Sequence, residues 1–148
     1  MRHVTAAAHE YFLRVYYEDT DAGGVVYHAS YLRFAERART EALRDAGVPH
    51  AEMASQHDVI FMVRRVDIEY LRPARIDAWL RVATSVEHLG GASVRLRQVV
   101  TEAEATVAVL TVWLVCVGLG DGRPARIPER WRIVLAAWLG ELDRGSGG

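Results

Sequence analysis

Three carboxylates, Glu18, Asp19 and Asp21, fall within four residues, and two glycines, Gly23 and Gly24, follow directly. Tyr17 stands four residues before Asp21, and His28 seven after it. A carboxylate in such a place can act as general base or as nucleophile, and adjoining glycines let a ligand approach the backbone closely. From Ser30 onward a helical pattern begins. The first turn of a helix carries N–H groups with no intrahelical acceptor, at the positive end of the macrodipole, which suits a developing oxyanion. The plainer alternative is a solvated acidic loop in which Asp19 or Asp21 only supports a turn. Composition alone does not separate the two.

Other chemistries lack their residues. Cys116 is the single cysteine, so an intramolecular disulfide is unavailable, and its apolar surroundings predict a buried thiol behaving as a small hydrophobe. Nothing local would lower its pKa as a nucleophilic thiol requires. The histidines at 3, 9, 28, 50, 57 and 88 have no tight metal-ligand spacing, and His50 and His57 read as surface residues near a helix end. Ser30, Ser55, Ser85 and Ser93 sit in no nucleophile elbow, and Gly23-Gly24 lacks the lysine and spacing of a phosphate loop. Neither a metal nor a cofactor is implied. A formal net charge of -1, with 18 basic residues, all arginine, against 19 acidic ones, argues against a general nucleic-acid binder.

The elements that must position these groups follow from periodicity. Residues 11 to 17 are aromatic and β-branched, as in a strand, and run into the acidic loop. Tyr31, Phe34, Ala35, Ala38, Ala42 and Ala46 recur at helical spacing, predicting a helix of about sixteen residues with Ser30 as N-cap and Gly47 as stop. After Pro49 the chain reads as strands: 65 to 70, 78 to 88, 92 to about 101, and 105 to 117, with Gly90-Gly91 as a positive-φ hairpin turn. The last of these is apolar on both faces, as a covered central strand is, with a partner subunit as the economical cover. At eleven residues around Val107 to Val117, broken by Thr111, it falls short of the roughly 20 residues that a spanning helix needs. No membrane insertion is expected. Pro128 would open a short final helix bearing Trp131, Val134, Leu135, Trp138 and Leu139, with Gly140 as stop. At 148 residues the chain fits one domain, with about 141 to 148 as a flexible tail. The N-terminus has no sustained apolar region like that of a signal peptide, so cytoplasmic residence is the expectation. An antiparallel sheet with the long helix against its apolar face meets the layer rule and gives an α+β class.

The stretch Tyr17-Glu18-Asp19-Thr20-Asp21-Ala22-Gly23-Gly24-Val25-Val26-Tyr27-His28, followed by Glu36-Arg37-Ala38-Arg39-Thr40-Glu41 and Arg72-Pro73, closely resembles the signature of YbgC-type acyl-CoA thioesterases, relatives of the 4-hydroxybenzoyl-CoA thioesterases. The likeness covers roughly residues 11 to 128. It implies a hotdog fold, in which a curved antiparallel sheet of about five strands wraps one long central helix. It also implies sheets joined edge to edge in a homodimer, or a dimer of dimers, with active sites at that interface. Carried over residue by residue, Asp21 is the carboxylate that attacks the thioester carbonyl or activates water. The N–H groups at or near His28 and Ala29 hold the carbonyl oxygen. Gly23 and Gly24 border the substrate. His28 orients water or Asp21, and Tyr17 is either part of the site or a ring packed beneath the loop. Glu18 and Asp19 are loop residues. Two other readings stand beside acyl-CoA hydrolysis: a hotdog hydratase or dehydratase, whose catalytic histidine is usually placed differently, and a non-catalytic acyl-CoA binder or envelope-complex scaffold.

Overall fold

A computed structural model describes residues 9–140 of the chain. The expectations for the N-terminus and for a tail at 141 to 148 lie outside the described residues. Among the described residues, five strands form one antiparallel sheet: β1 (His9–Arg14), β2 (Val59–Tyr70), β3 (Trp79–Leu89), β4 (Ser93–Glu102) and β5 (Ala105–Gly118), in the order β1-β3-β4-β5-β2. The long helix α1 (Ser30–Asp45) lies on its inner face, and α2 (His50–His57) and α3 (Glu129–Ala137) pack at the margins. This is the α+β hotdog arrangement that the motif implied.

The α1 stripe is built from Tyr31, Phe34, Ala35, Ala38 and Ala42, with Leu43 in place of the exposed Ala46. Its small side chains let the helix approach Leu80, Val82, Val100, Leu110 and Val112, which alternate inward along β3, β4 and β5 and are buried. Each large side chain in this layer contributes about 1.5–3 kcal/mol through removal from water. A polar pin fixes the helix on the sheet: the fully buried Gln98 donates from Nε2 to Ala35 O (2.9 Å) and Thr84 Oγ1 (3.0 Å), and its Oε1 accepts from Arg39 (3.2 Å). With these bonds made, the buried amide carries no desolvation penalty of the kind an orphan would.

Several boundaries differ from the sequence reading. β1 ends at Arg14, and Tyr17–Asp19 form a single 3-10 turn, because Asp19 Oδ2 accepts from the Tyr16 N–H (2.9 Å) and bends the chain out of the sheet. Ser30 is the first helical residue rather than the cap. Ala29 occupies the cap position, and the buried Ser30 hydroxyl donates to Asp19 O (3.0 Å). Between Pro49 and the strand expected at 65 to 70 the chain forms α2, and β2 starts at Val59, six residues before the expected bound. Gly90 and Gly91 do not take positive φ. A β-carbon at Gly90 would lie 2.9 Å from Ser93 Oγ, so that glycine serves close packing in the turn. Pro128 precedes α3, which stops at Ala137 instead of Gly140. Trp138 O and the Gly140 N–H instead bond Val86 at 2.8 and 3.2 Å, continuing the edge of β3.

Candidate active site

The acidic segment folds into a narrow hairpin whose rungs place each carboxylate. Thr20 and Val26 pair antiparallel, the Asp21 N–H donates to Val25 O (2.9 Å), and the Tyr27 N–H donates to Asp19 O (2.9 Å). Gly24, with φ +80°, closes the loop in a conformation that costs a side chain strain. A β-carbon at Gly23 would stand 3.4 Å from Asp21 Oδ1, so the bare glycine keeps the carboxylate uncrowded.

Asp21 is exposed, and its two oxygens differ. Oδ1 accepts from the N–H groups of Gly23 (2.9 Å) and Val25 (3.3 Å), whereas Oδ2 has no hydrogen-bond partner among the described residues. The loop thus orients the carboxylate by one oxygen and leaves the other for a ligand. Two positions beyond Val26, the chain turns into α1. There the Ser30 N–H donates to Tyr27 O (2.8 Å) and the Leu32 N–H to Ala29 O (3.1 Å), and among the described residues the N–H groups of His28 and Ala29 have no acceptor. The Ala29 N–H, at the cap, is one of the free donors that a helix start supplies, and the His28 N–H lies one residue before it.

His28 is exposed. Its ring packs against Tyr27 (4.4 Å between centroids) and meets Tyr70 edge-on (6.4 Å), with no hydrogen bond to Asp21. Tyr17 is 80 % exposed at the start of the 3-10 turn, so its ring is not packed beneath the loop. The six residues singled out from the sequence therefore share one loop and helix start, but Tyr17, Asp21 and His28 do not join in a hydrogen-bonded relay.

Beside this loop a groove of about 360 Å³ is lined by Val25, His28, Tyr31, Tyr70, Arg72 and Pro73. Tyr31 is buried at its base. Burial foremost, then the neighbouring Tyr70 and Glu102, push its phenol up to about 12, so it stays neutral. Arg72 rims the groove without an acidic partner among the described residues. A second hollow of about 390 Å³, among Phe12, Trp79, Arg81 and Thr101, opens on the opposite face of the sheet from α1.

Sequence reasoning missed three residues here. Asp19 is not a passive loop residue: it is 4 % exposed, and its Oδ1 accepts from Arg33 at 3.4 Å while Oδ2 takes the Tyr16 N–H. Its place three residues after Tyr16 has the spacing of a capping box, which was the available signal. Arg33 also donates to Ser30 Oγ (3.1 Å), tying the loop to α1. Tyr70, forty-two positions from His28, donates its hydroxyl to the His28 carbonyl (3.2 Å), and no local pattern announces so distant a contact.

Residues 15–139 match the model of the thioesterase-like superfamily. The chain is 43% identical over 118 residues to an acyl-CoA thioester hydrolase, YbgC, of Escherichia coli, an alignment covering 79% of this chain and 87% of that protein. It is 41% identical over 117 residues to the acyl-CoA thioesterase YbgC of Haemophilus influenzae, covering 79% and 86% of the two chains. Among solved structures it resembles a probable thioesterase from Bartonella henselae, with a TM-score of 0.77 and 38% identity over 81% of this chain and 98% of the other.

Proposed function

The chain belongs to the thioesterase-like superfamily, and we propose that it hydrolyses an acyl-CoA thioester to the free acid and coenzyme A, with Asp21 as the reacting carboxylate. The observation that carries this reading is the division of labour within Asp21: Oδ1 is held by two loop N–H groups, and Oδ2 has no partner among the described residues. That oxygen either attacks the thioester carbon, giving a mixed anhydride and the CoA thiolate, or takes a proton from the water that attacks it. Both routes use the same oxygen. As the carbonyl bond opens, negative charge builds on its oxygen, and the N–H groups of His28 and Ala29, which have no acceptor among the described residues, are the donors to receive it. Thiolate is a good leaving group, so one carboxylate and oriented donors suffice without a triad. Arg72 at the groove rim suits a polyanionic substrate such as coenzyme A.

A panel of aliphatic and aromatic acyl-CoAs, followed by release of free thiol, tests the activity. Asp21→Asn is expected to lower turnover by at least about a hundredfold, the usual scale for loss of a general base or nucleophile. Folding should be retained, because the Asn Oδ1 can still accept from Gly23 and Val25. An Asn variant as fast as wild type would refute the role of Asp21, and a panel with no cleaved member would refute the activity.

A further inference from the structure

Tyr70 ends β2 and reaches across the groove to the start of α1. The His28 carbonyl stands one residue before the Ala29 cap, outside the helical ladder, and among the described residues it receives no backbone N–H, since the Leu32 N–H goes to Ala29 O at 3.1 Å. The Tyr70 hydroxyl fills the gap, donating to His28 O at 3.2 Å. This carbonyl and the Ala29 N–H belong to one peptide unit, and that N–H has no acceptor among the described residues. A hydrogen bond accepted at a peptide oxygen draws electron density away from nitrogen and makes the N–H a stronger donor. The influence also runs backwards: when the N–H donates to an anion, the peptide oxygen becomes a stronger acceptor.

We propose that Tyr70 is a positioning residue for thioester hydrolysis, holding the His28–Ala29 peptide so that its N–H faces the developing oxyanion and strengthens as charge accumulates there. The proposal rests on the reading of this site as a thioesterase centre. At 3.2 Å the contact is long for a hydroxyl donor, so it adds little before reaction. Charge on the substrate oxygen shortens it, and an interaction that grows toward the transition state appears in kcat rather than in KM. The ring is held independently of the hydroxyl, by edge contacts with Tyr31 (5.8 Å) and His28 (6.4 Å). Tyr70→Phe should therefore keep those contacts and remove only the donor.

The test measures kcat and KM for one cleaved acyl-CoA in wild type, Tyr70→Phe, and a protein carrying 3-fluorotyrosine at 70, a more acidic phenol of nearly the same shape. Tyr70→Phe is expected to lower kcat about tenfold, the effect of one neutral hydrogen bond, with KM changed less than about twofold. The fluorinated residue, a stronger donor, should give a kcat above wild type. Tyr70→Phe with wild-type kcat, or a loss confined to KM, overturns the proposal, as does a fluorinated protein as slow as the Phe variant. Should Tyr70→Phe fail to fold, the fluorinated protein decides alone: a kcat above wild type supports the role, and a kcat at or below it overturns it. Asp21→Asn assayed in parallel separates the two claims. If it is inactive while Tyr70→Phe is unimpaired, only the role of Tyr70 falls. If it is fully active while Tyr70→Phe is slow, the carboxylate assignment falls and the role of Tyr70 stands.

Discussion

Asp19 and Asp21 stand two positions apart on the same hairpin and do opposite work. Both Asp19 oxygens accept from donors, Tyr16 N–H on one side and Arg33 on the other, in a buried setting. An asparagine there can satisfy only one of them, since its amide nitrogen must face the other donor. Asp19→Asn should therefore lower stability by about 1–3 kcal/mol in a denaturant titration, the cost of a buried group left badly paired. Asp21→Asn should fall within about 0.5 kcal/mol of wild type, as exposed substitutions do. Equal destabilisation by the two would contradict this division. The family resemblance, carried by the spacing of Asp21 from Tyr17 and His28, singles out Asp21 as the candidate carboxylate, but three neighbouring carboxylates look alike until burial is known. Tyr17 shows the reverse case. Its place in the motif matched, yet with four-fifths of it exposed the single chain gives its ring no work to do.

At the level of elements, α1 was legible because sixteen residues carry four turns of an apolar period, and β3 and β4 because inward and outward residues alternate along most of their length, up to the irregularities after Val86 and Val100. The eight-residue α2 buries only Met53, too little for a period to register, so no element is legible there from the sequence. That omission hid His50. Instead of a surface residue, it is a half-buried side chain at the first turn of α2, with Nε2 buried and unpaired and Phe61 edge-on at 6.1 Å. Burial foremost, and then the Arg39 and Arg44 charges, hold its pKa below the ordinary value of 6.5, with Glu36 opposing them. The unfolded chain thus takes up a proton that the folded one refuses as pH falls below about 6.5, so stability is lost with acidification over that window. The urea midpoint, followed from pH 7 to pH 5 in roughly half-unit steps, should fall less steeply in His50→Gln than in wild type. Parallel profiles would show that His50 titrates alike in both states.

For the whole molecule the question is what meets the open edge and outer face of the sheet. β1 and β2 are its two edges, and they differ: β1 has six residues, whereas β2 has twelve, with Met62 and Val63 each about half exposed. A long strand edge presents unpaired N–H and C=O groups that proteins rarely leave bare. The outer face of β5, by contrast, is partly covered from within, since the Arg65 guanidinium lies 4.6 Å over the Trp113 ring while pairing with Asp67. The β2 edge is therefore the barer of the two surfaces, which moves the expected site of self-association from the β5 face to that edge. Pairing of β2 with its own copy about a two-fold axis is self-complementary and closes after two chains. Tyr70 is the end residue of that strand, so the same contact would brace both the edge and the peptide at the start of α1. Sedimentation at micromolar concentration should find a dimer or a dimer of dimers, and turnover per chain should fall when dilution drives dissociation. A protein that sediments as a monomer at that concentration while keeping full turnover would show that the β2 edge stays free and the site is complete within one chain.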